Sequence, residues 1–395
     1  MSEWKETTLG EICLKITDGA HHSPKEFDGG KPMFSVKNMR DQGFDYNGVK
    51  TISDEDFVKL VNSGCQPQKD DILIAKDGSV MKHIFRVKGD IDYVLLSSIA
   101  IVRPDKSKVN PSYLVYAIKD PLTTDLILNN FVGGSGVPRI VLKDFKKVDL
   151  TIPSIETQKS IASILSSLDD KIDLLHRQNA TLEKMAETLF RQWFVERRPE
   201  PVEGEAKEEW KMGKLTDEFD FIMGASPPGE SYNEEGIGIP MYQGNADFGF
   251  RFPVNRVFTT DPKRFAEKYD TLISVRAPVG EQNMANERCC IGRGVAALRY
   301  KFDNSFYTYT YYKIKSLMDE IKQFNETGTV FGSISKSDFE NIEIIIPDKI
   351  SILKFQDIIK PLDDKIITNS IQIRTLTALR DTLLPKLMSG EIRVL

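Results

Sequence analysis

LDDKI stands at residues 168–172 and again at 362–366, 194 positions further on. The flanks extend the match. At the same shift SGVPRIVLKDFKKVDLTIP (135–153) falls on TVFGSISKSDFENIEIIIP (329–347), so that Asp144-Phe145 meets Asp338-Phe339 and Ile152-Pro153 meets Ile346-Pro347. Nearer the start of each half the shift becomes 206, where EWKETTL (3–9) matches EWKMGKL (209–215). The second copy is therefore 12 residues shorter in its middle. Self-similarity on this scale means two units built to one plan.

Each unit opens with a stretch carrying strand signals. In the first these are DILIAK (71–76), YVLLSSIAIVR (93–103) and VDLTI (148–152); in the second, TLISV (271–275), GVAALRY (294–300) and IEIII (342–346). They are apolar, β-branched runs bounded by Gly, Pro and Asp. A helical stretch precedes the last strand, SYLVYAIKD (112–120) in one copy and SFYTYTYYKIKSLMDEIKQF (305–324) in the other. A long helix then closes each unit, free of Gly and Pro in the first copy and carrying Pro361 in the second.

The long helices account for the spacing of the letters in LDDKI. In the first, Ile161, Leu168, Leu175, Leu182 and Leu189 recur every seven residues, beside Leu165, Ile172, Asn179, Ala186 and Trp193. The second has Phe355, Leu362, Asn369, Leu376 and Leu383, beside Ile359, Ile366, Ile373, Arg380 and Leu387. These are heptad seams. Within LDDKI the Leu and Ile belong to the seam, and Asp-Asp-Lys is expected to face outward. Antiparallel pairing joins residues whose numbers share a constant sum. A sum of 548 sets Asn179 opposite Asn369, Leu165 opposite Leu383, Ile172 opposite Leu376, Leu182 opposite Ile366 and Trp193 opposite Phe355. A buried Asn pair fixes register at some cost in stability. The alternative is two core helices packed separately, each on its own domain. A paired seam about 50 Å long, at 1.5 Å per residue, would act as a rod with one globular unit at each end. That suits two half-sites on one duplex about 34 Å apart.

Composition narrows the class. With 395 residues, 40% hydrophobic and 28% charged, the chain has room for two or three soluble cores. No apolar run is long enough for a membrane span, and MSEWKETTLG (1–10) lacks the features of a secretory signal. Cys13, Cys65, Cys289 and Cys290 form no CxxC pair and no Cys/His ligand spacing, so reduced thiols in a cytoplasmic protein without a metal are expected. The net charge of −5 argues against a surface that grips nucleic acid all over. However, RPEPVEGEAKEE (198–209) holds five acids against two bases, and residues 1–150 hold 21 of each sign. Local basic faces remain open.

On these stretches the chain resembles the specificity subunit of type I restriction–modification systems, along its whole length. The resemblance rests on ITDGAHHSP (16–24), QKDDILIAKDGS (68–79) and IPSIETQKSIASILSSLDDKI (152–172), and in the second copy on IMGASPPGESYN (222–233), ISVRAPVG (273–280) and IPDKISILKFQDIIKPLDDKI (346–366). The second copy departs from the usual pattern after its proline, where Lys354-Phe355-Gln356 replaces a Glu-Gln or Thr-Gln pair. The resemblance implies an α/β (α+β) fold: two pseudo-symmetric target-recognition domains joined by two long antiparallel coiled-coil spacer helices. The expected divisions are a first recognition domain over 1–153, a spacer helix over 154–197, an acidic linker over 198–209, a second recognition domain over 210–348, a second spacer helix over 349–389 and a tail over 390–395. It further implies no catalysis and no cofactor in this chain. Each domain would read half of a bipartite, asymmetric site on double-stranded DNA. Two methyltransferase subunits would bring AdoMet, and restriction–translocase subunits would bring ATP and Mg.

The residues themselves offer little catalytic chemistry. FVGGSG (131–136) could cradle a phosphate, but no NPPY- or DPPF-like motif accompanies it, and a flexible loop before a strand is the plainer reading. No GxxxxGK[ST] occurs. His21, His22 and His83 lack a nucleophile or ligand set. Asp169, Asp170 and Lys171 supply nuclease-like letters on an expected rod exterior. Candidates for DNA contact are cations, amides and small polar groups in loops. In the first unit these are Lys25, Lys37, Asn38, Arg40, Lys76, Ser79, Lys82, His83, Arg86 and Arg139; in the second, Tyr232, Tyr242, Gln243, Asn245, Arg251, Arg276, Gln282, Asn283 and Arg293. Tyr307, Tyr309, Tyr311 and Tyr312 could stack on bases, though helical spacing favours a core. A two-headed protein-interaction scaffold without DNA specificity is the alternative function, and a solitary nuclease or methyltransferase lacks its motifs.

Overall fold

In both copies two of the β-branched runs become the middle strands of an antiparallel sheet, and the long apolar seams become helices. The computed structural model describes residues 4–134, 136–196, 210–325 and 332–394, so the acidic linker over 198–209 lies outside the described residues. The chain divides into two compact units, Met1–Asp173 with Thr375–Leu395, and Leu174–Arg374. Each takes in a stretch of both long helices.

The first unit holds a four-stranded sheet in the order Cys13–Asp18, Ile99–Pro104, Ile72–Ala75, Ile84–Arg86. A three-stranded sheet runs Lys50–Ile52, Lys31–Phe34, Val94–Leu95, its last pair parallel. Lys5–Thr8 pairs with Asp149–Ile152. The second unit repeats this topology. Its four-stranded sheet is Phe219–Met223, Val295–Tyr300, Thr271–Ser274, Gln282–Met284. Val257–Thr259, Ile239–Tyr242 and Cys289–Ile291 reproduce the second sheet, again with a parallel last pair, and Tyr232–Asn233 and Phe265–Ala266 extend it. Lys211–Lys214 pairs with Glu343–Ile346. YVLLSSIAIVR, expected as one strand, is two strands in different sheets, because the chain turns at Leu96–Ser98.

Two glycines of the quoted motifs are required by close backbone approach. A Cβ on Gly19 would lie 2.1 Å from the Leu95 carbonyl oxygen, and one on Gly224 would lie 2.2 Å from that of Gly292. Only Gly tolerates such contact.

The first long helix spans Ile155–Arg191 and ends in a π-turn at Gln192–Glu196; the second spans Lys349–Met388. Ser154 and Asp348 cap their starts by accepting from Thr157 and Ser351 backbone amides. The second helix runs through Pro361 and also through Pro385. Within the second unit the two helices run antiparallel, and Asn369 Nδ2 donates to Asn179 Oδ1 at 2.9 Å, both residues fully buried. Trp193 faces Phe355 with ring centroids 6.3 Å apart. Ile172 and Ile366 are buried, while Leu168 and Leu362 are half-buried. Within the first unit, Leu165, Leu383, Leu384 and Leu387 share one core.

Each helix carries a buried glutamine that holds its neighbouring domain. Gln158 accepts from the Asn110 amide at 2.9 Å, and Gln356 from the Tyr309 amide at 3.1 Å, each at the start of the domain's own helix. The unusual Lys354-Phe355-Gln356 therefore keeps a glutamine contact, one helical turn later than the repeat shift places it. Tyr309, Tyr311 and Tyr312 are core residues, and Tyr307 is half-buried.

Candidate nucleic-acid interface

The loops at one end of each four-stranded sheet meet around a short turn. In the first unit this turn is Leu96–Ser98. Ser97 N donates to the Ala20 carbonyl at 2.9 Å, Leu96 N to Phe34 at 2.8 Å, and Lys76 N to the Ser98 carbonyl at 2.9 Å. The Val36 amide donates to Ser98 Oγ at 3.1 Å. In the second unit the turn is Gly292–Gly294, where Gly292 N donates to Tyr242 at 2.8 Å and Val275 N to Gly294 at 2.9 Å. A last loop joins each cluster through one two-residue bridge: Asp77 pairs with Arg139 in the first unit, and Arg276 with Ser333 in the second. Around that bridge Gly78 N donates to the Pro138 carbonyl at 2.8 Å and, in the second unit, Ala277 N to that of Gly332 at 3.1 Å. Each unit thus exposes one arginine at the same bridge, supplied by opposite partners.

Lys37, Ser79 and Arg139 are exposed at the first cluster, and Gln243, Arg276 and Arg293 at the second. Lys25 and Lys82 are also exposed, on flanking loops. Asn38 and Asn245 are half-buried; Asn38 Oδ1 accepts from the Ser35 amide at 3.0 Å. Arg40 is exposed but turned onto its own loop, with bonds to the Lys37 and Met39 carbonyls and to Asp45. His83 is half-buried and meets Asp41 at 2.9 Å. Tyr232 donates to the Pro227 carbonyl at 3.0 Å.

Six expectations are corrected. Lys76 is buried between Asp18 and Asp77, at 3.2 and 3.1 Å. Tyr242 is fully buried with its hydroxyl on Asn255. Asn283 is fully buried and donates to the Gly249 carbonyl at 2.7 Å. Gln282 is half-buried and donates to the Tyr311 carbonyl at 2.8 Å. Arg86 stands opposite Ile72, at the far end of the sheet from Lys76, paired with Asp70. Arg251 is enclosed, its Nη2 at 3.2 Å from Asp363 and 3.8 Å from Glu183, over the Tyr311 ring. Burial alone would lower its pKa, but Tyr311, Asp363, Tyr312 and Glu183 raise it well above the ordinary value. None of these six side chains presents a free polar group to a ligand at the loop clusters. Loop composition marked all six as exposed; four are buried, Arg86 and Gln282 are half-buried, and each has a partner at least 13 residues away in its own unit.

LDDKI also differs from expectation. Its first aspartate faces inward in both copies: Asp169 is 8% exposed and Asp363 is 0% exposed. The half-buried Arg380, an odd letter in the second seam, reaches Asp169 at 2.8 Å. The signal available in the sequence was the exact repetition of the aspartate itself.

Among the described residues no group of three or more His, Cys, Asp or Glu is placed to hold a metal ion. No described helix is long and apolar enough to cross a membrane.

A family model described as the type I restriction modification DNA specificity domain matches residues 1–184 and again 207–376. The putative type I restriction enzyme MjaX specificity subunit of Methanocaldococcus jannaschii is 31% identical, with 99% of this chain and 94% of the relative covered. The HindI specificity subunit of Haemophilus influenzae is 25% identical over 99% of this chain and its own full length. A crystal structure of a type I restriction–modification S subunit from M. genitalium shares the fold at TM-score 0.62 and 19% identity, covering 98% of this chain and 96% of that one.

Proposed function

Because the chain belongs to the type I restriction–modification DNA specificity family, we propose that its two units read the two halves of a bipartite, asymmetric DNA site. The observation that supports this reading is the repeated loop cluster with one exposed arginine at an equivalent bridge in each unit. Arginine suits both phosphate contact and bidentate readout of guanine. The clusters differ in nearly every other side chain, and two differing readers suit an asymmetric site. The chain acts without catalysis of its own. Methyltransferase subunits, two per complex, supply AdoMet-dependent adenine methylation, and restriction subunits supply ATP- and Mg-dependent cleavage. Nothing in the comparisons supports a protein-interaction scaffold without DNA specificity.

Arg276→Ala is expected to weaken binding of the assembled complex by about tenfold, and only to DNA carrying the second cognate half-site. Arg139→Ala should do the same for the first. Gel-shift titration at physiological salt reads both, with assembly unchanged by size-exclusion chromatography. Undiminished affinity in both variants contradicts the assignment of these loops.

A further inference from the structure

The first aspartate of each LDDKI is tied to its globular domain, and it reaches the opposite long helix directly in the first unit and through Arg251 in the second. In the first unit Asp169 Oδ2 accepts from Tyr116 O–H of the domain at 2.8 Å, and Oδ1 accepts from Arg380 of the second long helix at 2.8 Å. In the second unit Asp363 Oδ2 accepts from Thr308 O–H of the domain at 2.9 Å. Its Oδ1 meets Arg251 of the domain at 3.2 Å, and Arg251 lies 3.8 Å from Glu183 of the first long helix. The neighbouring aspartates extend each junction, Asp170 to Lys88 at 3.1 Å and Asp364 to Tyr307 O–H at 2.6 Å.

A buried carboxylate is a poor way to gain stability, since desolvation offsets most of the attraction. What directional bonds add is a single geometry, where an apolar contact of the same area tolerates rotation and slip. The same residue, in the same five-letter repeat, closes a junction between domain and helices twice with different partners, directly in the first unit and through Arg251 in the second.

We propose that Asp169 and Asp363 are positioning residues: each sets the angle at which its recognition domain is held on the long helices, and together they set how strictly the complex measures the gap between half-sites. This rests on the bipartite reading above. The test uses the complex with its methyltransferase, and duplexes whose two mapped half-sites are separated by the native gap or by one base pair more or fewer. The wild-type complex should methylate the native gap and discriminate against the others. Asp363→Asn keeps the side-chain shape without the charge, and should reduce that discrimination about tenfold; Tyr116→Phe, which loses one O–H, should reduce it about threefold. Half-site sequence preference should not change in either. Should Asp363→Asn fail to assemble, Tyr116→Phe decides. Discrimination retained in full by the assembled variants overturns the proposal and leaves the bipartite reading standing. A wild-type complex that methylates no bipartite site overturns the reading itself.

Discussion

Arg251→Met is expected to destabilise the second unit by about 3–5 kcal/mol, the usual consequence of leaving one member of a buried charge pair alone. The guanidinium is 1% exposed and lies 3.8 Å above the Tyr311 ring. Methionine fills much of the space but gives Asp363 no charge. Glu183 keeps Lys315 at 2.7 Å, so it is not stranded. Asp363 retains only the Thr308 hydroxyl at 2.9 Å. Burial already pushes its carboxyl up, with Arg251 the largest opposing influence, so losing Arg251 drives it toward the neutral acid and caps the loss near the lower figure. Replacing both residues, as Arg251→Met with Asp363→Leu, should recover most of the stability. Urea unfolding of the single and double variants reads the difference. A single variant within about 1 kcal/mol of wild type contradicts the pairing, because that is the range of exposed ion pairs.

Glu218→Gln should stabilise the chain in alkaline but not in acidic buffer. Glu218 is 1% exposed, accepts from Tyr309 O–H at 2.7 Å, and has its pKa pushed up to about 7 by burial, against the pull of Lys313 and of the Tyr309 bond. A carboxyl whose folded pKa lies above its unfolded value favours folding in its protonated form. That contribution is complete below the unfolded value of about 4.5 and is lost as pH rises through about 7. Glutamine does not titrate and keeps an oxygen for Tyr309. The variant's advantage over wild type should therefore grow by about 2–3 kcal/mol between pH 4.5 and pH 8. Lys313 loses a charged neighbour, which trims the gain. Unfolding midpoints at the two pH values check it, and a difference independent of pH contradicts it.

The duplication carried most of the fold into view. DILIAK and TLISV read as strands from their apolar, β-branched runs, and both lie in the middle of a sheet with Ile72–Ala75 and Thr271–Ser274 buried throughout. The helix register followed from two asparagines, since a buried amide demands a partner and each seam held one candidate. Heptad counting failed at the aspartates because it supposes that each long helix touches only the other. A globular domain packs on a further face, and Asp169 and Asp363, one position past a seam leucine, turn toward it. The loop residues were less legible. Lys76 and Arg276 follow equivalent strands, yet Lys76 is buried with Asp18 and Asp77 while Arg276 is exposed. The two are one position out of step: Lys76 takes the buried place that Val275 holds in the second unit, and Arg276 takes the place of Asp77 at the bridge.

The central claim is that two repeated units each specify one half of a DNA site. Co-expression with the cognate methyltransferase, followed by single-molecule mapping of methylated adenines, tests it most directly. Two short, different motifs separated by a fixed number of unspecified base pairs, with one methylated adenine on each strand, are the predicted result. A single contiguous motif, a palindrome, or methylation without sequence preference would contradict it.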